Sequence, residues 1–156
     1  MTHLDRTDRK LLKALQQNAQ LTAQELGDLL NLSASQAGRR RLRLEQSGLI
    51  ERYAARIDPA QLGLSVQSFV QVQMASQSPE AAQAFLSLTE RRDEITSVWT
   101  LTGDADYLMR VYCHDLASLN RLIHEILLPH ASVARVQSQI VLDHVKKDTP
   151  LPTDHS

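Results

Sequence analysis

The chain has 156 residues, 42% of them hydrophobic, and this composition indicates folded cores and excludes a disordered chain. The formal net charge of −1 excludes a polycation that binds nucleic acid over its whole surface. The single cysteine, Cys113, excludes an internal disulfide, so the fold needs no oxidising compartment.

The charge is unevenly distributed along the chain. Residues 1–63 hold ten Arg and Lys against seven Asp and Glu, whereas residues 64–156 hold seven against eleven. We therefore expect only the first part to meet a polyanion. No apolar run of signal-peptide length opens the chain, and none approaches the ~20 residues of a membrane span, so we expect a cytoplasmic protein without a membrane partner.

Helix starts are clear in the first part of the chain. Asp5 precedes one amphipathic segment, and both Thr22–Glu25 and Ser33–Gln36 have the spacing of a capping box, in which two side chains satisfy free backbone N–H groups. Gly48 is placed to end the third helix because glycine tolerates a left-handed conformation. Only residues 31–32 separate the second helix from the cap of the third, which predicts a helix-turn-helix.

The predicted third helix carries a cluster of arginines. In a helix-turn-helix the second helix enters the major groove, where polar residues of its first turn meet phosphate or base edges and arginines bind phosphate or guanine. An arginine run can also be only a solvated helix face, but its place directly after the cap favours binding to double-stranded DNA. The candidate DNA-binding residues are Ser33, Ser35, Gln36, Arg39, Arg40 and Arg43.

Two details of this region leave open questions. Arg41 stands where a helix facing a core would have an aliphatic residue, so either its stem leaves the core edge or the helix is rotated and Leu42 packs instead. The segment Leu49–Ile57 alternates loosely in polarity, which predicts a pair of strands, the wing.

The second part of the chain follows a β-α-β-β-α-β pattern, which predicts a ferredoxin-like domain. Alternating or β-branched runs indicate its strands, and Ser78-Pro79 and Asp115 indicate its helix starts. A four-stranded sheet with both helices on one face leaves the other face uncovered, so we expect a homodimer. The whole chain is then an α+β protein. Its predicted parts are a winged helix-turn-helix domain over 1–57, a linker over 58–63, the ferredoxin-like domain over 64–145 and a flexible tail over 146–156.

Signals for other chemistry are weak. The six histidines show neither cysteine pairing nor i, i+4 spacing, so we expect no metal site. Cys113 alternates inward on a predicted strand, which favours a buried thiol over a nucleophile. No nucleophile triad, phosphate-binding glycine loop or dinucleotide fingerprint is present, so we expect no enzyme activity.

Several motifs together resemble the leucine-responsive/asparagine-type (Lrp/AsnC) family of transcriptional regulators, with Ala34 and Arg41 as departures from its pattern. The resemblance covers residues 4 to 145, and its most specific motif is the glycine-aspartate turn of the second domain. The matching segments are Leu4–Asp8, Leu32–Ser35 with Arg39-Arg40, Arg43–Glu45 with Gly48–Ile50, Thr102–Leu108 and Val133–Leu142.

The resemblance implies that the second domain binds a small effector, usually an amino acid, at contacts between dimers. A carboxylate can hold the ligand's ammonium group, and free N–H groups of a turn can hold its carboxylate. A hairpin turn alone also favours Gly103-Asp104, and Trp99 can be a packing residue. The residues carried over by position are Trp99, Thr102, Gly103, Asp104, Asp106, Val136 and Ser138.

The expected function is therefore a sequence-specific DNA-binding transcriptional regulator that responds to an amino acid. Its expected partners are double-stranded DNA, the amino acid and further copies of the chain, as a dimer that assembles to a tetramer or octamer. No cofactor other than the effector is expected. The alternative is an assembly or effector-binding module, or an architectural DNA-binding protein, without an amino-acid response.

Overall fold

A computed structural model of the chain describes residues 4–153. The chain divides into two compact units. One contains the residues up to Arg56 together with those from Lys146 onward, and the other contains Ile57–Val145. Within residues 4–153, no helix has the length and apolar character that crossing a membrane requires.

Three helices form the first unit. They are α1 (Arg6–Gln17), α2 (Ala23–Leu30) and α3 (Ala34–Gln46). Each begins with a full capping box, including the two predicted from spacing and a third at Asp5, whose carboxylate accepts from the Asp8 N–H at 2.7 Å. Such a cap contributes roughly 1 kcal/mol. The helices enclose a small core of Leu11, Leu15, Leu26, Ala37 and Leu44.

The turn between α2 and α3 depends on one glycine inside α2. The Leu32 N–H donates to the Gly27 carbonyl at 2.9 Å, and Asn31 ends α2 in the left-handed conformation. A Cβ atom on Gly27 would lie 2.7 Å from the Leu32 carbonyl oxygen and 3.2 Å from the Ala34 nitrogen. The backbones approach so closely that even a methyl group at Gly27 requires the turn to shift.

The end of α3 follows the sequence prediction, but the wing does not. Gly48 has the positive φ of 74° expected of the glycine that ends α3. The strand pair predicted over Leu49–Ile57 does not form, since residues 51–57 take part in no ladder. These residues are all exposed, so pairing them would bury no apolar face and only the weak alternation favoured it.

The last described residues lie against α1. Gln16 and Leu151 bond reciprocally, with the Gln16 amide donating to the Leu151 carbonyl at 3.1 Å and the Leu151 N–H donating back at 2.6 Å. Arg9 donates to the Thr153 carbonyl at 3.0 Å, and Arg56 donates to the Asp148 carbonyl at 3.2 Å. The segment predicted as a flexible tail therefore has defined hydrogen bonds to the first unit.

The second unit has the predicted β-α-β-β-α-β order. The predicted linker contains a short 3₁₀ turn, Pro59–Leu62. The antiparallel sheet has the strand order β2-β3-β1-β4, which is the ferredoxin-like order. Its elements are β1 (Val66–Met74), α4 (Pro79–Glu90), β2 (Ile95–Thr100), β3 (Tyr107–Cys113), α5 (Leu116–Arg121) and β4 (Val133–Ile140).

One face of this sheet is covered by both helices. Alternate residues of β1 and β3, such as Val70 and Met109, pack there against Phe85 of α4 and Leu127 after α5. Gln71 and the other residues between them lie on the second face, which no element of the unit covers. We call this second surface the open face.

The sequence predicts a helix after Asp115 with Leu116 on its inner face, and a last strand over Val133–Val145. The structure differs in both elements. α5 continues as a π-helical turn, Leu122–Leu127, whose longer repeat buries both of its end residues, whereas Leu116 is exposed instead of packing inward. β4 ends at Ile140 rather than Val145, and beyond it the Val141 N–H still donates to the Gln67 carbonyl of β1 at 2.9 Å.

Candidate DNA-binding and effector-binding sites

The candidate DNA-binding surface is the side of α3 that faces away from its core. Ala37 and Leu44 are fully buried, and a helix with 3.6 residues per turn places a different set of side chains opposite them. This exposed set contains two of the predicted arginines and one apolar residue, which is suited to contact a thymine methyl group. Its members are Ser35, Arg39, Leu42, Arg43 and Gln46.

Two predicted DNA-binding residues are used in the cap of α3. The Ser33 hydroxyl accepts from the Gln36 N–H at 3.2 Å, and the Gln36 side-chain oxygen accepts from the Ser33 N–H at 3.0 Å. The amide nitrogen of Gln36 still has two donors to offer outward. Arg39 is exposed, donates only to the Ser35 carbonyl at 3.3 Å, and makes no ion pair within residues 4–153.

Arg40 and Arg43, by contrast, are joined to two carboxylates of α1. Arg40 Nη1 lies 2.6 Å from Asp5 Oδ2 and 2.8 Å from Asp8 Oδ1. Arg43 Nη2 lies 2.5 Å from Asp8 Oδ2. Asp8 is only 1% exposed, so its charge is stabilised by these guanidinium groups rather than by water. The Asp8 N–H and the Arg40 guanidinium lower the pKa of the Asp5 carboxyl.

The arrangement around Arg41 settles the two alternatives left by the sequence. Leu42 is 51% exposed, so the helix is not rotated to bury it. The Arg41 stem instead leaves the edge of the core, and its head donates to Glu45 at 2.8 Å and to the Leu21 carbonyl at 2.9 Å. It also lies over the Tyr53 ring, 4.9 Å from the centroid. The hydrogen bond from Arg41 lowers the pKa of Glu45.

The candidate effector site begins at the turn between β2 and β3. Gly103 has φ of 130°, a backbone conformation that residues with a side chain rarely adopt. The backbone of this turn therefore requires the glycine of the motif Thr102–Leu108. Asp104 is exposed at this turn. Asp106 is used internally, because its carboxylate accepts from the Met74 N–H at 2.7 Å and from the Gln77 amide at 3.2 Å.

The structure does not bring all the predicted effector residues together. Trp99 is paired with Leu108 on the open face, and Asp104 lies at the edge of that face, while Thr102 is exposed in the loop. Val136 and Ser138 are paired with Val72 and Val70, whose side chains enter the core, so they belong to the helix-covered face. The sheet itself therefore separates the last two from the turn.

A shallow depression on the open face contains residues that sequence reasoning missed. Its volume is about 50 Å³, and it is lined by Gln71, Gln73, Asp104, Ala105, Arg135 and Gln137. Asp104 and Arg135 give it one charge of each sign. The alternation of β1 indicated the glutamines, but Arg135 joins them only through the β1–β4 register, in which it is paired with Gln73.

Comparisons with known proteins agree with this architecture. A model of winged helix-turn-helix DNA-binding domains matches residues 4–51, and a model of the Lrp/AsnC ligand binding domain matches residues 67–151.

The chain belongs to the Lrp/AsnC family of transcriptional regulators.

Lrp/AsnC relatives match over nearly the whole chain. The transcriptional activator DecR of Escherichia coli K12 is 30% identical over 151 residues, covering 97% of this chain and 99% of its own. The leucine-responsive regulatory protein of the same organism is 30% identical over 148 residues, covering 95% and 90%. The family predicted from the sequence motifs is thereby confirmed, and with it the class of DNA-binding transcriptional regulators.

Solved Lrp/AsnC structures share the complete fold. A Neisseria meningitidis regulator, NMB0573 in complex with L-Met, superposes with a TM-score of 0.91 at 35% identity, covering 96% of this chain and 97% of its own. An AsnC-family regulator from Agrobacterium tumefaciens gives 0.87 at 30% identity, covering 96% and 97%. The α+β fold predicted from sequence is confirmed.

Within residues 4–153, no His, Cys, Asp and Glu residues cluster as a metal site would require.

Proposed function

We propose that this regulator binds double-stranded DNA through the exposed side of α3 and that an amino acid bound beside Asp104 changes that binding. The observation that carries the proposal is the presence of two opposite charges, Asp104 and Arg135, in the lining of one depression of the open face. A free amino acid has an ammonium group for the first and a carboxylate for the second. The L-Met complex of the neisserial relative makes methionine the first ligand to test.

The depression supports a site that a second copy of the chain completes. At about 50 Å³ it is far smaller than the roughly 300 Å³ at which small-molecule pockets begin. The open face also carries apolar side chains, among them Leu108 and the 43%-exposed Trp99. We infer a homodimer, or a multiple of dimers, in which the partner covers this face and the ligand binds one arrangement better than another.

Ligand binding is tested by a thermal-shift panel of the twenty amino acids followed by titration calorimetry. A ligand of the folded state raises the apparent stability by mass action. Asp104→Asn and Arg135→Gln should each weaken binding at least tenfold, because each removes one charge partner. Asp143→Asn removes an exposed carboxylate outside the depression and is the matched control. If neither variant differs from that control, the ligand binds elsewhere.

DNA binding through α3 is tested with Arg39→Ala. If Arg39 meets phosphate, binding should weaken on every sequence and the salt dependence should fall by about one unit. A loss of ~1–3 kcal/mol at one base position would identify a base contact instead. Lys13→Ala removes an exposed positive charge from α1 and is the control. Equal effects of the two variants would exclude α3 as the reader.

The assembly is tested by sedimentation at micromolar concentration, where we expect a dimer or a multiple of dimers. Leu108→Glu places a charge on the open face and should shift the protein to monomers. Leu116→Glu is the control, because Leu116 is 59% exposed on the opposite, helical side. A wild-type monomer would contradict the proposed assembly. A stable oligomer that binds none of the twenty amino acids would favour the alternative of a regulator without an amino-acid response. We propose neither enzyme activity nor a cofactor.

A further inference from the structure

Only one of the four arginines of α3 is without an ion pair within the described part of the chain. Arg41 is paired with Glu45, and Arg40 and Arg43 are paired with Asp5 and Asp8 of α1. Within residues 4–153, Arg39 is the one arginine of α3 without a carboxylate partner, so the sequence overstates the charge that this helix offers to DNA. The cluster formed by Asp5, Asp8, Arg40 and Arg43, which we call the α1–α3 charge cluster, has a net charge of zero.

Asp8 is the centre of the α1–α3 charge cluster. One of its oxygens accepts from Arg40, and the other accepts from Arg43 and from the Asp5 N–H at 3.2 Å. Because Asp8 is 1% exposed, removing its guanidinium partners would leave a carboxylate without water or a counter-charge. If Arg40 extended towards a phosphate, the buried Asp8 carboxylate would keep only Arg43 as a counter-charge, which costs free energy.

Asp5 completes the hold on Arg40. Its Oδ1 caps α1 by accepting from the Asp8 N–H, and its Oδ2 lies 2.6 Å from Arg40 Nη1. One carboxylate thus fixes both the start of α1 and the guanidinium of a residue 35 positions later. The two helices are tied in a fixed orientation by a short, charge-assisted hydrogen bond.

We propose that Asp5 and Asp8 determine DNA specificity by holding Arg40 and Arg43 against α1, so that α3 reaches DNA with Arg39 as its free guanidinium. This inference rests on the proposed role of α3 in DNA binding. Every arginine freed for phosphate adds affinity for all sequences alike, through counterion release. Neutralising two of them by carboxylates of α1 keeps non-specific binding low, and the fixed orientation of α3 preserves the contacts that read bases.

The test is Asp5→Asn, compared with wild type on a selected site and on random DNA over a range of salt. Asparagine caps a helix as well as aspartate does, so the fold is kept. Arg40 then loses one of its two charge partners, and the α1–α3 charge cluster changes from a net charge of zero to +1. The salt slope on random DNA should steepen by up to about one unit, and affinity there should rise by up to about eightfold at 0.1 M salt. The affinity ratio of selected to random DNA should fall.

Two further variants make the test decisive. Asp28→Asn removes one exposed negative charge from α2 without freeing an arginine, and it should leave the ratio and slope near wild type. Asp5→Asn combined with Arg40→Gln should return the slope to its wild-type value, because the freed charge is then absent.

The outcomes separate this inference from the function on which it rests. If wild type shows no salt-dependent DNA binding, the proposed function is overturned. If wild type binds but Asp5→Asn behaves like Asp28→Asn, or if the double variant keeps the steeper slope, the role proposed for the α1–α3 charge cluster is overturned alone.

Discussion

The two units of this chain hold their helices in place by different means. The second unit encloses thirteen buried side chains between one sheet face and two helices, and all but a cysteine and a tyrosine are aliphatic, methionine or phenylalanine. The first unit buries five apolar residues and adds the ion pairs of Asp8 and three capping boxes. A three-helix unit of this size has little apolar surface to bury. Directional polar contacts therefore have a larger share in fixing its geometry.

The sharpest test of this contrast is Phe85→Ala in the second unit. Phe85 is fully buried and its ring centroid lies 4.9 Å from that of Tyr107, so the variant leaves a large cavity. We expect a loss of ~3–5 kcal/mol in the free energy of unfolding. The single tryptophan, Trp99, belongs to this unit and reports its unfolding by fluorescence. A loss below ~1 kcal/mol would show that this core tolerates a void.

In the first unit, the corresponding test is Asp8→Asn. The amide keeps the shape of the side chain but removes the charge that balances Arg40 and Arg43. Because both arginines are partly exposed and can be solvated, we expect a loss of ~2 kcal/mol rather than the 3–5 kcal/mol of a fully buried pair. Circular dichroism at 222 nm should detect it, with Asp28→Asn as the control. Equal stability of the two variants would contradict the importance given to polar contacts here.

A smaller effect is expected at the turn between α2 and α3. Gly27→Ala places a Cβ atom 2.7 Å from a backbone oxygen, and we expect a net loss of ~1 kcal/mol after the gain in helix propensity is offset. Gly38→Ala is the matched control, because its Cβ would only touch the Ala23 Cβ at 3.6 Å. The free energy of unfolding of that variant, measured by chemical denaturation, should rise by up to ~1 kcal/mol. A gain at both positions would mean that the turn adjusts freely.

The smallest expected effect is a loss of folding stability at acidic pH. The folded-state pKa values of Asp5 and Glu45 are lowered by hydrogen bonds, from the Asp8 N–H and Arg40 for the first and from Arg41 for the second. A carboxyl group whose pKa is lowered by folding stabilises the folded state above about pH 4, which is its pKa in the unfolded chain. This contribution disappears as the pH falls through the pKa of the folded state. Urea unfolding between pH 5 and pH 2 should show the loss, and Glu45→Gln should reduce it. An unchanged pH profile in that variant would exclude the Arg41–Glu45 pair as a source.

What the sequence predicts well in this protein is short-range or periodic. The capping boxes at Thr22 and Ser33 are each recognised from four consecutive residues, and the end of α3 is recognised from the single glycine at position 48. The alternation of β1 identifies the face of that strand that enters the core. These patterns follow from backbone geometry and burial, so the order of elements and the family could be predicted.

The rest depends on which distant residues meet. Arg40 was predicted as a DNA contact, but its ion pair with Asp8 could not be predicted, because Asp8 lies 32 positions away on another helix. Arg135 was missed because only the strand register places it near Asp104. Val136 was matched by position in a family motif, which gives no information about the face of the sheet on which a side chain lies. A sequence motif records residue types and their spacing. These three cases required knowledge of which residues are neighbours in the folded structure.

The reciprocal bond between Gln16 and Leu151 has a practical consequence for handling the protein. The polypeptide leaves its first unit at Arg56 and rejoins it at Lys146, so in chain order the second unit is an insertion within the first. A deletion of residues 151–153 therefore alters the neighbourhood of α1 rather than the sheet. DNA-binding measurements should therefore use protein that retains residues 151–153.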